Sequence, residues 1–246
     1  MAASTTETVA QHSLRHHFAN MEQQRESTTL GMWIFLVTEI MFFGGLFTAY
    51  LIYRTAHPDV WELGSEHMEF WLGTINTVIL LTSSFFVAMS VHFAQRGMLK
   101  ITALLLFLTV LSGFGFLGIK AVEYHNHYVE GTVPGRWWNV QKLQDSERKK
   151  YEEELKKNPH AKAPTMQVPN ELQLFFYIYF VMTGLHALHV TIGIGLLFMI
   201  GLWSWQGKYT AEYHNPVHIS GLYWHFVDLV WIFLYPLLYL IANKHS

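Results

Sequence analysis

The sequence predicts an all-α integral membrane protein with five transmembrane helices. Three observations lead there. Charged residues make up 14% of the 246-residue chain and hydrophobic residues 51%, whereas a soluble domain carries about 25% charged residues. Five apolar runs are each long enough to cross roughly 30 Å of hydrocarbon as a helix rising about 1.5 Å per residue. Aromatic residues crowd the ends of those runs (Tyr50, Tyr53, Phe70, Trp71, Tyr124, Trp203, Trp205, Tyr223, Trp224 and Tyr239) and read as an interfacial belt.

The chain opens on a polar arm, 1–28, which lacks the apolar core of a signal peptide. The membrane domain, 29–246, follows. Its first span is placed at 29–53, and it contains GMWIFLVTEIMFFGGLFTAY, with Glu39 in the middle. The second and third spans are placed at 70–93 and 101–124, joined by the short basic turn AQRGMLK. An extramembrane loop, 125–170, comes next. Within it Gln141–Lys157 mixes Glu with Lys and Arg and reads as a solvated helix, ended by Pro159, Pro164 and Pro169. Such a run is a soluble face, or a docking site for a further partner. The fourth span is placed at 171–205 and the fifth at 216–242. In lipid every backbone group must be satisfied within its own segment, so these spans are helices and not strands.

Composition excludes several chemistries. There is no cysteine, so disulfides, thiolate metal sites, iron–sulfur clusters and covalent c-type haem are ruled out. A formal net charge of −2 argues against a nucleic-acid partner. The motif Gly113-Phe-Gly115-Phe-Leu-Gly118 matches a dinucleotide fingerprint but lies inside an apolar span with no preceding strand. Those glycines suit close helix approach instead.

The polar residues inside or near the spans need an explanation. They are Glu39, Asn76, His92, Lys120, Glu123, His186, His189, His225 and Asp228. Glu39 would lie about 12 Å into the hydrocarbon, where an acid costs roughly 2.5–3.5 kcal/mol on insertion scales. A protonated carboxyl can donate a hydrogen bond, which softens that cost. His186 and His189 are three apart on one helix, as are His225 and Asp228; Trp224, Asp228 and Trp231 follow at i, i+4 and i+7. Lys120 and Glu123 form an i, i+3 pair near the end of the third span. Four readings stay open on the residues alone: metal or haem ligation by the histidines, a proton or ion path through Glu39 and Asp228, contacts to lipid headgroups or a partner subunit, and plain interhelical hydrogen bonding.

Several stretches resemble one family. GLYWHFVDLVWIFLYPLLYLI at 221–241 looks like the last helix of subunit III of the haem–copper oxidases, and MTGLHALHVTIGIG at 182–195 resembles its penultimate helix. FLGIKAVEYHNHYVEGTVPG at 116–135 and MWIFLVTEIMFFGGLF at 32–47 fit the same pattern in the same order. The resemblance implies the five-helix bacterial form, a bundle with a V-shaped, lipid-holding cleft packed beside catalytic subunit I, with subunit II in the same complex. It implies structural phospholipid in this chain, with haem and copper confined to the partner subunits. The implied site is a buried carboxyl, Glu39, with His92, at lipid or the subunit I interface, and a polar network of Glu123, His186, His189, Trp224, His225 and Asp228. The family often places an arginine near the end of the penultimate helix to meet a lipid phosphate; Trp203 stands there in this chain.

The function so implied is that of a non-catalytic subunit of a cytochrome c oxidase in the bacterial inner membrane. It would have a cytoplasmic N-terminus and a periplasmic C-terminus, and it would stabilise the catalytic subunit and support proton uptake. A quinol oxidase subunit III or an accessory subunit of nitric oxide reductase fits the same residues. From other classes, a proton-coupled transporter would use Glu39 and Asp228 as a relay and show broken helices or repeats, and a histidine-ligated haem protein would show a Soret band.

Overall fold

The computed structural model describes residues 18–157, 169, 171–210 and 213–240, and all of its regular elements are helices. They are α1 (Met21–Ala56), α2 (Pro58–Glu66), α3 (Phe70–Gln95), α4 (Leu99–Glu130), α5 (Val140–Lys157), α6 (Leu172–Trp205) and α7 (Asn215–Tyr239), with a single 3-10 turn at Gly135–Trp137. Five of them, α1, α3, α4, α6 and α7, are long and apolar enough to cross a membrane. The chain is a multi-pass membrane protein. Residues 1–17 of the polar arm, the prolines Pro159 and Pro164, and Ala242 at the expected end of the last span lie outside the described residues.

Local chemistry sets the ends of these helices, several of which extend beyond the expected membrane spans. α1 starts at Met21 and not Thr29, because Asn20 caps it: its side chain accepts from the Gln23 amide at 2.8 Å, and the Gln23 side chain reaches back to the Ala19 amide at 2.8 Å. α4 runs past Tyr124 to Glu130, so the loop expected from 125 begins only at Gly131. That glycine takes φ +77°, and the next amide, of Thr132, returns to the His127 carbonyl at 3.0 Å. α2 fills the connection between the first two expected spans. Proline at its first position and Asp59 in its first turn start it, and Val60 and Trp61 bury it against the bundle.

Two seams explain the packing. Along α3 the buried residues are Gly73, Asn76, Leu80, Ser83, Val87, Ser90 and Ala94, alternating steps of three and four as in a coiled coil. Most are small, which lets the facing helix approach closely where no hydrophobic effect drives association. α4 answers with Thr102, Leu106, Thr109, Gly113, Phe116, Lys120, Glu123 and His127 in the same rhythm. α3, α4, α6 and α7 close a ring: α3 packs on α4 and α7, and α6 packs on the same two from the other side. α1 leans on this bundle through one line, Leu36, Phe43 and Tyr50, spaced seven apart, against α7 and more lightly α6. The Tyr50 hydroxyl fixes it by donating to the Leu237 carbonyl of α7.

The aromatic belt needs a correction. Trp71, Trp205 and Tyr53 are exposed, but Tyr50, Trp224 and Tyr239 are among the largest fully buried side chains, and Tyr223 is buried too. They sit near helix ends in sequence yet point into the bundle, where their polar atoms find partners.

Candidate functional site

Glu39 lies on the α1 seam between Leu36 and Phe43, half-buried, and faces α6. Its Oε2 is 3.1 Å from His189 Nε2. The other ring nitrogen of His189 donates to the Leu185 carbonyl at 2.8 Å, so Nδ1 carries a proton. The Nε2–Oε2 contact therefore holds one proton in either arrangement: a carboxylic acid donating to neutral imidazole, or an imidazolium donating to carboxylate. Both are neutral overall, which is how a carboxyl at this depth is accommodated. The edge of Phe43 meets the His189 ring, with centroids 5.3 Å apart. The Tyr223 hydroxyl donates to the His189 carbonyl at 3.0 Å, so α7 braces α6 at the same residue.

A second polar centre ties α4, α6 and α7. Lys120 and Glu123 pair at 3.0 Å with side chains 3% and 1% exposed. Glu123 Oε1 accepts from the Tyr179 hydroxyl at 2.6 Å and the Tyr239 hydroxyl at 2.5 Å. Lys120 also donates to the Tyr239 oxygen at 2.5 Å and lies 4.8 Å from the centre of the Trp231 ring. Every charge in this cluster is satisfied, the condition under which a buried pair is tolerable. Nothing in the sequence spacing ties Tyr179, Tyr239 or Trp231 to Glu123; the available signal is that Lys120 and Glu123 sit on the buried seam of α4.

The remaining expected residues do not converge on one centre. His186, on the same helix as His189, is buried in the bundle, stacked on Trp231 at 5.2 Å and edge-on to Phe116 at 5.4 Å. His225 does not bond Asp228; its Nδ1 pairs with the Ser84 hydroxyl of α3 at 2.7 Å. Asp228 is buried beside the same Ser84, whose hydroxyl faces its carboxyl without closing a hydrogen bond of ordinary geometry. Trp224 Nε1 donates to Ser83 at 3.0 Å. His92 is exposed near the end of α3, its ring against Phe93, and no hydrogen bond or ring contact joins it to Glu39. Among the described residues, no three His, Asp or Glu side chains group as metal ligands.

A bundle with five helices long and apolar enough to span, carrying the Lys120–Glu123 and Glu39–His189 pairs inside it, defines a polytopic helical membrane protein. Comparison with known proteins carries this further. The family model for cytochrome c oxidase subunit III matches residues 7–132 and 172–243. Cytochrome c oxidase subunit 3 of Thermostichus vulcanus is 32% identical over 224 residues, covering 87% of this chain and 87% of the relative. Quinol oxidase subunit 3 of Bacillus subtilis is 32% identical over 227 residues, covering 91% and 93%. Quinol oxidase subunit 3 of Bacillus spizizenii is 32% identical over 229 residues, covering 91% and 93%. The chain belongs to the subunit III family of the haem–copper oxidases, and it is a subunit of a terminal oxidase complex. The unmatched stretch between the two blocks contains the charged helix α5.

Proposed function

We propose that this chain is the non-catalytic subunit III of a cytochrome c oxidase, stabilising catalytic subunit I, holding structural phospholipid and supporting proton uptake by the complex. The observation that carries the reading is the Glu39–His189 pair, a neutral, one-proton contact at mid-membrane depth between α1 and the bundle. Such a contact can hold α1 in place without carrying net charge into the membrane. α1 touches the bundle along a single seam and leaves Ile40, Met41 and Ile52 exposed, which suits acyl chains lying beside it. Haem and copper belong, on this reading, to subunits I and II. The chain sits in the bacterial inner membrane with its N-terminus cytoplasmic and its C-terminus periplasmic.

A quinol oxidase is the second reading, favoured by the names of the two Bacillus relatives. The electron-donor site lies on other chains in either case. Glu39→Gln tests the supporting role. The expected result is an assembled complex whose proton uptake slows or whose activity decays sooner during turnover. Complete loss of oxygen reduction in a fully assembled complex would contradict it.

A further inference from the structure

The carboxyls singled out within the spans differ in what neutralises them. Glu123 has the Lys120 ammonium at 3.0 Å and two phenol donors, and Glu39 has the His189 ring at 3.1 Å. Asp228 is buried and has neither. It sits on α7 between Trp224 and Trp231, whose indole protons are already spent on α3, on Ser83 at 3.0 Å and Thr77 at 3.1 Å. Among the described residues no cation lies near enough to act on the carboxyl, and Ser84 of α3 is the polar side chain beside it. Ser84 is also the exception among the hydroxyls of α3. Thr74, Thr77, Thr82, Ser83 and Ser90 each donate to a carbonyl of their own helix at 2.7 to 2.9 Å, the usual way of hiding a hydroxyl from hydrocarbon. The Ser84 oxygen instead lies 2.7 Å from His225 Nδ1. One hydroxyl thus stands between a buried acid and a half-buried imidazole, and a hydroxyl can donate and accept at once.

A carboxylate in this place would be a buried charge without a counter-ion, which an apolar bundle in lipid does not tolerate. We infer that Asp228, Ser84 and His225 form one proton-holding row across the α3–α7 contact. The protonated carboxyl of Asp228 donates to Ser84 Oγ, and Ser84 donates its own proton to His225 Nδ1. His225 keeps its remaining proton on Nε2, so the row carries no net charge. Its direction follows from the groups themselves: the carboxylic acid is the strongest donor of the three and the imidazole nitrogen the strongest acceptor. Moving one proton along each bond, from Asp228 to Ser84 and from Ser84 to His225, gives carboxylate, an intact hydroxyl and imidazolium, again with no net charge. The bundle then holds two exchangeable protons at acid–imidazole sites. Glu39 and His189 share one directly, and Ser84 relays the other. The second site is built from this chain alone and does not rest on the function proposed above.

The test is infrared difference spectroscopy on the complex purified in mild detergent through a tag on this chain. Wild type minus Asp228→Asn is expected to show one carboxylic-acid carbonyl stretch, which moves to lower frequency when aspartate carries carbon-13 in its carboxyl. Carboxylate bands in its place would mean an ionised Asp228 and would overturn the row. Ser84→Ala removes the relay and keeps the acid, and it is expected to shift the labelled stretch to higher frequency as the carboxyl loses its acceptor. That comparison is made on labelled protein without the Asn variant, so it decides the matter even where Asp228→Asn fails to fold. An unmoved stretch would show that Ser84 does not accept from Asp228. His225→Phe is expected to remove the ring bands of an imidazole protonated at Nε2. Removal of Nδ1–H or imidazolium bands instead would overturn the direction given to the row.

Discussion

Removing both charges of the α4 cluster together should cost far less than the sum of removing each alone. In Lys120→Met the Glu123 carboxyl, 1% exposed, loses its counter-charge and keeps only the hydroxyls of Tyr179 and Tyr239. Breaking a buried pair from one side costs about 3–5 kcal/mol. The two surviving phenol donors place this case at the lower end, at about 3 kcal/mol. In Glu123→Gln the ammonium keeps the Tyr239 oxygen and the Trp231 face, and a desolvated cation–π contact offsets roughly 2 kcal/mol, so the loss is about 2 kcal/mol. The double variant buries no charge and is expected to cost about 2 kcal/mol, giving a coupling energy of about 3 kcal/mol. The assay is reversible unfolding in bicelles of fixed lipid composition, with all four proteins measured together. Simple additivity, or a Lys120→Met loss below about 0.5 kcal/mol, would refute the view that this pair locks α4, α6 and α7.

Other expectations follow from single contacts. A Cβ on Gly193 would meet the Trp224 ring at 2.9 Å, so Gly193→Ala should lower stability by about 1–3 kcal/mol through overpacking, read as a lower unfolding midpoint. His189→Phe removes the acceptor or donor facing Glu39 and should raise labelling of Glu39 by a hydrophobic carbodiimide; unchanged labelling would mean the two do not share a proton. Thr77→Val removes the acceptor that lies 3.1 Å from Trp231 Nε1, and at the average for polar contacts in membranes it should cost only about 0.6 kcal/mol. A loss several times larger would show that the indole proton has no alternative partner.

The apolar runs made the spans legible because length and hydropathy alone decide what crosses a bilayer. Orientation within the bundle was harder to see. Tyr50, Trp224 and Tyr239 look like belt residues by their positions in the chain, and only helix rotation shows that they point inward. α2 was invisible to a search for long apolar runs, since nine residues holding Asp59, Glu62 and Glu66 do not resemble a span; the proline start was its signal. The partner of Glu39 lies 150 positions away, and spacing within one helix carries no information about such pairs. Spacing suggested joint action by His186 with His189 and by His225 with Asp228. The structure sends His186 and His189 to different neighbours, because a step of three still turns a side chain about 60° around the helix, and His225 bonds Ser84 and not Asp228. The Lys120–Glu123 pair was legible because both partners belong to one helix.

The assignment as an oxidase subunit without its own redox centre is tested most directly by spectroscopy on material purified through a tag on this chain. The account predicts that mild detergent brings down a large haem- and copper-containing membrane subunit, and that this chain, separated from it by a harsher detergent, is colourless. A Soret band carried by the separated chain, or a colourless monomer recovered from native membranes under mild conditions, would contradict it.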